Sequence, residues 1–216
     1  MLALNFSTRY PEKVDRVITI ACGLRSPILT KTHNLEQILA IENDASFNNG
    51  DYYENRNPTK GLILARMISH KTFVSLKYIK SRMKDMCIQD DDLSWYKIKT
   101  PLESYLLYQG RKFSKRFDAN TYLHLMSAWS NFDLAKEHNV KKDEDIFKKC
   151  LHQKYLLFTI NSDCCFYPEE QIELYQALQK SMINTTYVTV PSEKGHDSFL
   201  LEPELYDQEI RKALTS

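Results

Sequence analysis

Two apolar runs, Lys154–Ile160 and 185–190, constrain this chain more than any other feature. Each is strand-sized. Each is followed by a short polar loop and then by a helix signal, at Pro168 and at Pro203. Strand–helix alternation with short loops implies a parallel sheet joined by right-handed crossovers. A third strand signal, 14–22, is β-branched and unbroken, as a strand buried on both faces must be. In such sheets ligands gather at the carboxyl ends of the strands. The loops at those ends carry Asp163, within Asn161-Ser162-Asp163, and His196, within the stretch 194–200. Neighbouring parallel strands place the two side by side. An acid that orients a histidine is two thirds of a nucleophilic triad.

From Arg25 to about Cys150 the pattern is helical. Helices are expected over 32–43, over 61–70 with Asn57 as N-cap and Pro58 at the first helical position, over 75–86, and over 118–130. Thr100-Pro101-Leu102-Glu103 is a full capping box with proline at the first helical position. Leu102, Tyr105, Leu106, Gln109 and Phe113 then share one face by helical spacing, and so do Tyr122, Leu123 and Met126 in the next helix. In the helix expected over 168–182, Ile172, Tyr175, Leu178 and Met182 face the sheet. A helical block between strands serves as a lid. The expected organisation is a sheet part made of 1–24 and 151–216, with 25–150 as helical lid. Residues 1–10 read as a helix with no cap residue before it, stopped by Pro11. The chain therefore opens inside an αβ unit.

Composition excludes several classes of function. Net charge is +1, so no global field favours nucleic acid or a membrane surface. Apolar runs are too short for a membrane-spanning helix, and the first residues lack a signal-peptide pattern. Five cysteines, with no C-x-x-C, indicate free thiols and the cytoplasm. His152 beside Cys150 lacks the rest of a tetrahedral ligand set, and Asp90-Asp91-Asp92 reads as a surface loop, so no metal site is expected. His70 reads as a packed core histidine and Cys22 as a small core residue at a strand end. His33, His124, His138 and His152 have no evident partner. Tyr52 and Tyr53 are pocket walls or packing.

A triad of the Ser, Asp, His order needs a G-x-S-x-G elbow upstream of the acid. The glycines are Gly23, Gly50, Gly61, Gly110 and Gly195, and no two stand four apart. The elbow is absent, and with it the oxyanion-hole N–H that follows the nucleophile.

Six collinear segments carry a resemblance. They are Asn5-Phe6-Ser7-Thr8-Arg9-Tyr10-Pro11-Glu12-Lys13-Val14, Gly50-Asp51-Tyr52-Tyr53, Gly61-Leu62-Ile63-Leu64-Ala65-Arg66-Met67-Ile68-Ser69-His70, Glu103-Ser104-Tyr105-Leu106-Leu107-Tyr108-Gln109-Gly110, Phe117-Asp118-Ala119-Asn120-Thr121-Tyr122 and Gly195-His196-Asp197. Together they resemble the homoserine O-acetyltransferase family over nearly the whole chain. The resemblance implies an α/β-hydrolase fold, of which this chain holds the last three parallel strands and a large helical lid. Met1-Leu2-Ala3-Leu4 looks like the start of the helix after the elbow, so the nucleophilic Ser is expected just before Met1.

By position, the resemblance implies Asp163 as triad acid and His196 as base. It also implies Arg66 on the carboxylate of homoserine and Asp197 on its amino group. Arginine suits a carboxylate because its planar fork grips both oxygens. The implied reaction transfers acetyl from acetyl-CoA, a co-substrate rather than a bound cofactor, to L-homoserine through an acyl-Ser, in methionine biosynthesis. The family includes succinyl-transferring and serine-acylating relatives, and these residues do not separate them. Without a nucleophile the chain alone is expected to be inactive: a remnant, or one half of a split enzyme that reassembles with an N-terminal segment. The outer edge of strand 14–22 is expected to be open, which invites aggregation or a partner. Dimerisation through the lid fits the family.

Overall fold

The computed structural model describes residues 1–54, 57–88 and 95–215, so the Asp90–Asp92 run lies outside the described residues. In chain order the helices are α1 (Leu2–Arg9), α2 (Ile28–Glu42), α3 (Thr59–Phe73), α4 (Leu76–Arg82), α5 (Pro101–Ser114), α6 (Ala119–Asn131), α7 (Leu134–Glu137), α8 (Pro168–Lys180), α9 (Ser198–Leu201) and α10 (Glu204–Thr215). The strands are β1 (Arg16–Ile20), β2 (Lys154–Ile160) and β3 (Asn184–Val190). They divide between two compact units, 1–27 with 131–216, and 28–130.

The first unit is built on a parallel sheet in the order β1-β2-β3. Its register sets Arg16 beside Lys154 beside Asn184, and Ile160 beside Val190 at the carboxyl end. β2 is central and, after Lys154, buried at every position, which explains its unbroken apolar run. Two apolar clusters cover its faces. Tyr155 and Leu157 pack with Leu4, Leu134, Phe147, Leu174 and Leu178 on one side. Leu156, Phe158 and Ile160 pack with Val190 and Tyr206 on the other. Among the described residues, no strand pairs with the outer edge of β1.

Several sequence expectations shift here. β1 is shorter than 14–22. Ala21 turns to a positive φ of 51° and its N–H bonds to the Phe158 carbonyl, which ends the strand at Ile20. The buried stripe of α8 is Gln171, Leu174, Ala177 and Leu178, rotated from the expected face. Ile172 is exposed, and Tyr175 packs at the margin on Tyr187. Met182 does not face the sheet. It lies beyond the helix at φ 57° and 84% exposed. There Met182 N–H bonds Gln179 O and Ile183 N–H bonds Leu178 O, the paired bonds of a Schellman cap. Residues 131–150, expected with the helical block, pack with the sheet, because Phe132, Leu134, Ile146, Phe147 and Cys150 bury themselves in its core.

The second unit is helical. α3 packs closely on α2 and α5 because glycines stand at the crossings. A Cβ at Gly61 would lie 2.7 Å from the Ala40 carbonyl, and one at Gly110 2.8 Å from that of Ile63. α5 has its full capping box, Thr100 with Glu103. Its inward face is Ser104, Tyr105, Gly110 and Phe113. Leu102, expected there, is exposed. Contrary to expectation, Asn57 is not the N-cap of α3, and Pro58 is not its first helical position. Pro58 is itself the N-cap residue, and the Asp44 carboxylate, from another segment, accepts the Gly61 N–H at 2.7 Å. α2 starts earlier than expected and α4 ends sooner. The N-cap of α4 is Ser75, which accepts from Tyr78 N–H.

Tyr52 is a structural residue. Its buried hydroxyl bonds Asp118 and accepts the N–H groups of Ala119 and Asn120, so it caps α6. Burial first, then that carboxylate, pushes its pKa up to about 12. Met126, Tyr122 and Phe113 complete the core of this unit.

Candidate active site

The carboxyl ends of β2 and β3 lie in register, and the ladder runs one bond further, Asn161 N–H to Val190 O. The next residues leave the sheet as two loops. One carries Asp163, the other His196. Gly195 between β3 and the histidine adopts φ 80°, which only glycine holds without strain. Asp163 Oδ2 lies 2.9 Å from His196 Nδ1. The Asp163 side chain is fully buried, whereas that of His196 is 19% exposed. Asp163 Oδ1 accepts two backbone N–H groups, from Cys165 at 2.7 Å and Phe166 at 2.9 Å. Buried polar oxygens are paired in this way in folded proteins.

The histidine ring is walled by aromatics. Phe166 stacks on it at 6.0 Å between centroids, and Phe199 meets it edge-on at 5.9 Å. With Nδ1 facing the carboxylate, the neutral ring donates from Nδ1 and keeps its basic lone pair on Nε2. Such a pair can act chemically as a base with a fixed tautomer. Two further links tie the loops together. Ser162 Oγ donates to Ser192 O at 2.6 Å and accepts Gly195 N–H at 3.0 Å. Ser192 Oγ accepts Lys194 N–H at 3.0 Å and bonds Glu202. Sequence reasoning passed over Ser162, Phe166 and Phe199. A signal existed, since each aromatic stands three positions after the acid or the base.

Asp197 stands at the N-cap of α9 and is partly buried. Its side chain makes no capping bond there, while its carbonyl accepts Leu200 and Leu201 N–H. Cys22 is buried within the apolar cluster of Leu4 and Leu24.

Arg66 belongs to the helical unit. Its guanidinium lies 5.2 Å from the Phe73 ring centre and 5.5 Å from that of Phe113, between two aromatic faces. One turn on, His70 is buried and its Nε2 meets Tyr105 OH at 2.9 Å. Burial, and then the Arg66 charge, lowers its pKa to about 4. It is a neutral core histidine. Among the described residues, no His, Cys, Asp and Glu cluster is arranged to hold a metal ion, and no helix is long and apolar enough to cross a membrane.

No family model matches the chain. It is 38% identical over 204 residues to the homoserine O-acetyltransferase of Methanococcus vannielii, covering 94% of this chain and 40% of that protein. It is 34% identical over 213 residues to the homoserine O-succinyltransferase of Nitrosomonas eutropha, covering 98% of this chain and 56% of the relative. Among solved structures, the homoserine O-acetyltransferase of Bacillus anthracis superposes over 100% of this chain and 57% of that one, with a TM-score of 0.88 at 20% identity. The fold is that of the α/β-hydrolases. The chain spans about half the length of the curated relatives it matches.

Proposed function

We propose that this chain, homologous over nearly all its residues to homoserine O-acetyl- and O-succinyltransferases, supplies the acid, the base and the lid of such an acyltransferase. The observation that carries the proposal is the Asp163–His196 pair, with Nδ1 committed to a buried carboxylate at the carboxyl end of a parallel sheet. Its five glycines form no G-x-S-x-G, so the nucleophilic Ser comes from a segment outside these residues.

In the reaction, His196 Nε2 takes the Ser proton as Oγ attacks the thioester carbon of acetyl-CoA. The C–S bond breaks, and the imidazolium gives its proton to the departing CoA thiolate. His196 then takes the hydroxyl proton of homoserine as that oxygen attacks the acyl-Ser. The ester bond to Ser breaks, and the proton returns to Ser Oγ. Asp163 holds the tautomer and stabilises the imidazolium in both halves. By the same resemblance, Asp197, beside His196, is the proposed partner of the homoserine ammonium. Acetyl is the proposed acyl group. Five free thiols accord with a cytoplasmic enzyme.

The test pairs this chain with the N-terminal portion of a relative, co-expressed, and measures CoA release from acetyl-CoA with L-homoserine. Release that needs both pieces and His196 is the expected result. Release with succinyl-CoA or with serine in its place would redefine the donor or acceptor. A folded complex inactive with every pair would overturn the acyltransferase proposal and leave a non-catalytic remnant. The 216 residues alone are expected to form no O-acetylhomoserine.

A further inference from the structure

We infer that Ser162 is a positioning residue that holds His196 against Asp163. Two hydrogen bonds cross between the loops as adjacent rungs. Ser162 Oγ meets Gly195 N–H at 3.0 Å, and in the very next residue of each loop Asp163 Oδ2 meets His196 Nδ1 at 2.9 Å. The first rung involves the residue before the acid and the residue before the base. It fixes where the histidine loop starts, and the second rung closes from there.

The Ser162 hydroxyl has a definite direction. It donates to Ser192 O at 2.6 Å, so its proton points along the loop after β3 and its lone pair faces Gly195. Asn161 adds a third tie, accepting Ser192 N–H on Oδ1 at 3.1 Å. The loop after β3, 191–197, leads from the strand to α9. Gly195 gives it the positive φ it needs, and glycine by itself imposes no one conformation. The Ser162 hydroxyl restrains that glycine, and so limits the drift of the imidazole relative to the carboxylate. Small misplacements of a catalytic group are costly, on the order of 100-fold for about 1 Å. The catalytic consequence rests on the acyltransferase proposal; the geometric one does not.

The first arm therefore uses the chain without any nucleophile. In ¹⁵N-labelled protein, a hydrogen-bonded Nδ1–H of His196 gives a downfield proton signal. Ser162→Ala is expected to broaden or abolish that signal through faster solvent exchange, while the Cys165 and Phe166 amides on Asp163 Oδ1 keep their protection. Ser162→Thr, which retains the hydroxyl, is expected to restore it. An unchanged signal in Ser162→Ala, with unchanged exchange, overturns the inference. So does loss of the Cys165 and Phe166 protection as well, because the residue would then be holding the whole loop.

The second arm uses the co-expressed enzyme. Ser162→Ala is expected to lower kcat by about 10- to 100-fold with KM for homoserine and acetyl-CoA little changed, and Ser162→Thr to recover most of it. A rise in KM with kcat intact overturns the positioning role. An inactive wild-type complex counts against the acyltransferase proposal alone, and the spectroscopic arm still decides the role of Ser162.

Discussion

The two compact units solve the same packing problem in opposite ways. The sheet unit relies on backbone ladders, three strands in strict register with apolar clusters on both faces of β2. Beyond the carboxyl ends of β2 and β3, polar side chains tie the loops together. Among the described residues, the helical unit has no ladder to align its parts. It depends on glycines that let α3 approach α2 and α5, and on single polar side chains from distant segments, Asp44 on α3 and Tyr52 on α6. In the first unit the side chains at the rim stand outside the ladder that aligns the strands. In the second, one added methyl group meets backbone.

That contrast can be broken or sharpened by mutation. The largest effect is expected at the rim of the sheet. His196→Ala should reduce acyl transfer by the co-expressed enzyme by about 1,000-fold or more, while the melting temperature moves by only a few degrees. Steady-state CoA release and a thermal melt check both halves. A large fall in melting temperature would show that the rim is structural after all.

Next comes the glycine crossing. Gly61→Ala places a methyl 2.7 Å from Ala40 O and 2.8 Å from Ile41 Cα, both backbone atoms that cannot step aside. The expected destabilisation is about 1–3 kcal/mol. It should appear in hydrogen exchange as loss of protection within 28–130, with β2 amides unaffected. Equal loss in both units would mean that they unfold together.

The pH dependence of stability separates the units in a similar way. His70 has a pKa near 4 when folded and 6.5 as the ordinary value. Between those pH values the unfolded chain takes up a proton that the folded chain refuses. Stability therefore falls as pH drops from about 6.5 towards 4, by up to roughly 3 kcal/mol. Urea melts of the wild type and of His70→Gln, followed at several pH values, should differ in slope within that window. Parallel curves would contradict the burial of a neutral imidazole.

The smallest effect is a gain. Met182 occupies the left-handed cap position of α8 at φ 57°, where glycine has no Cβ to strain. Met182→Gly is expected to stabilise the sheet unit by about 0.5 kcal/mol, read from the denaturation midpoint.

Much of the site was legible before any coordinates. Asp163 and His196 follow strand-sized apolar runs and precede helix signals, so their meeting at one sheet edge needed only the rule that short αβ loops make parallel neighbours. The capping box at Thr100 and the burial of His70 were legible for the same kind of reason, a local pattern with a local cause. The face of α8 was not. Ile172, Tyr175 and Met182 look as apolar as Leu174 and Ala177, and helical spacing admits either stripe until the sheet selects one. The segment 131–150 was misallotted because its charges, from Lys141 to Lys149, hide the five core residues between and around them.

The amino-acid sequence by itself determined the order of elements, the parallel sheet, the meeting of Asp163 and His196 at one sheet edge, and the absence of an elbow glycine pair. These follow from periodicity and spacing along the chain, which no contact can alter. Tertiary structure alone decided that Asp44 caps α3, that Tyr52 caps α6, that Gly61 and Gly110 mark helix crossings, and that Ser162 meets Gly195. Each joins groups distant in sequence. The partner of a hydroxyl, a carboxylate or a missing Cβ is set by where the fold brings the chain back, and a sequence pattern carries no distance between such positions.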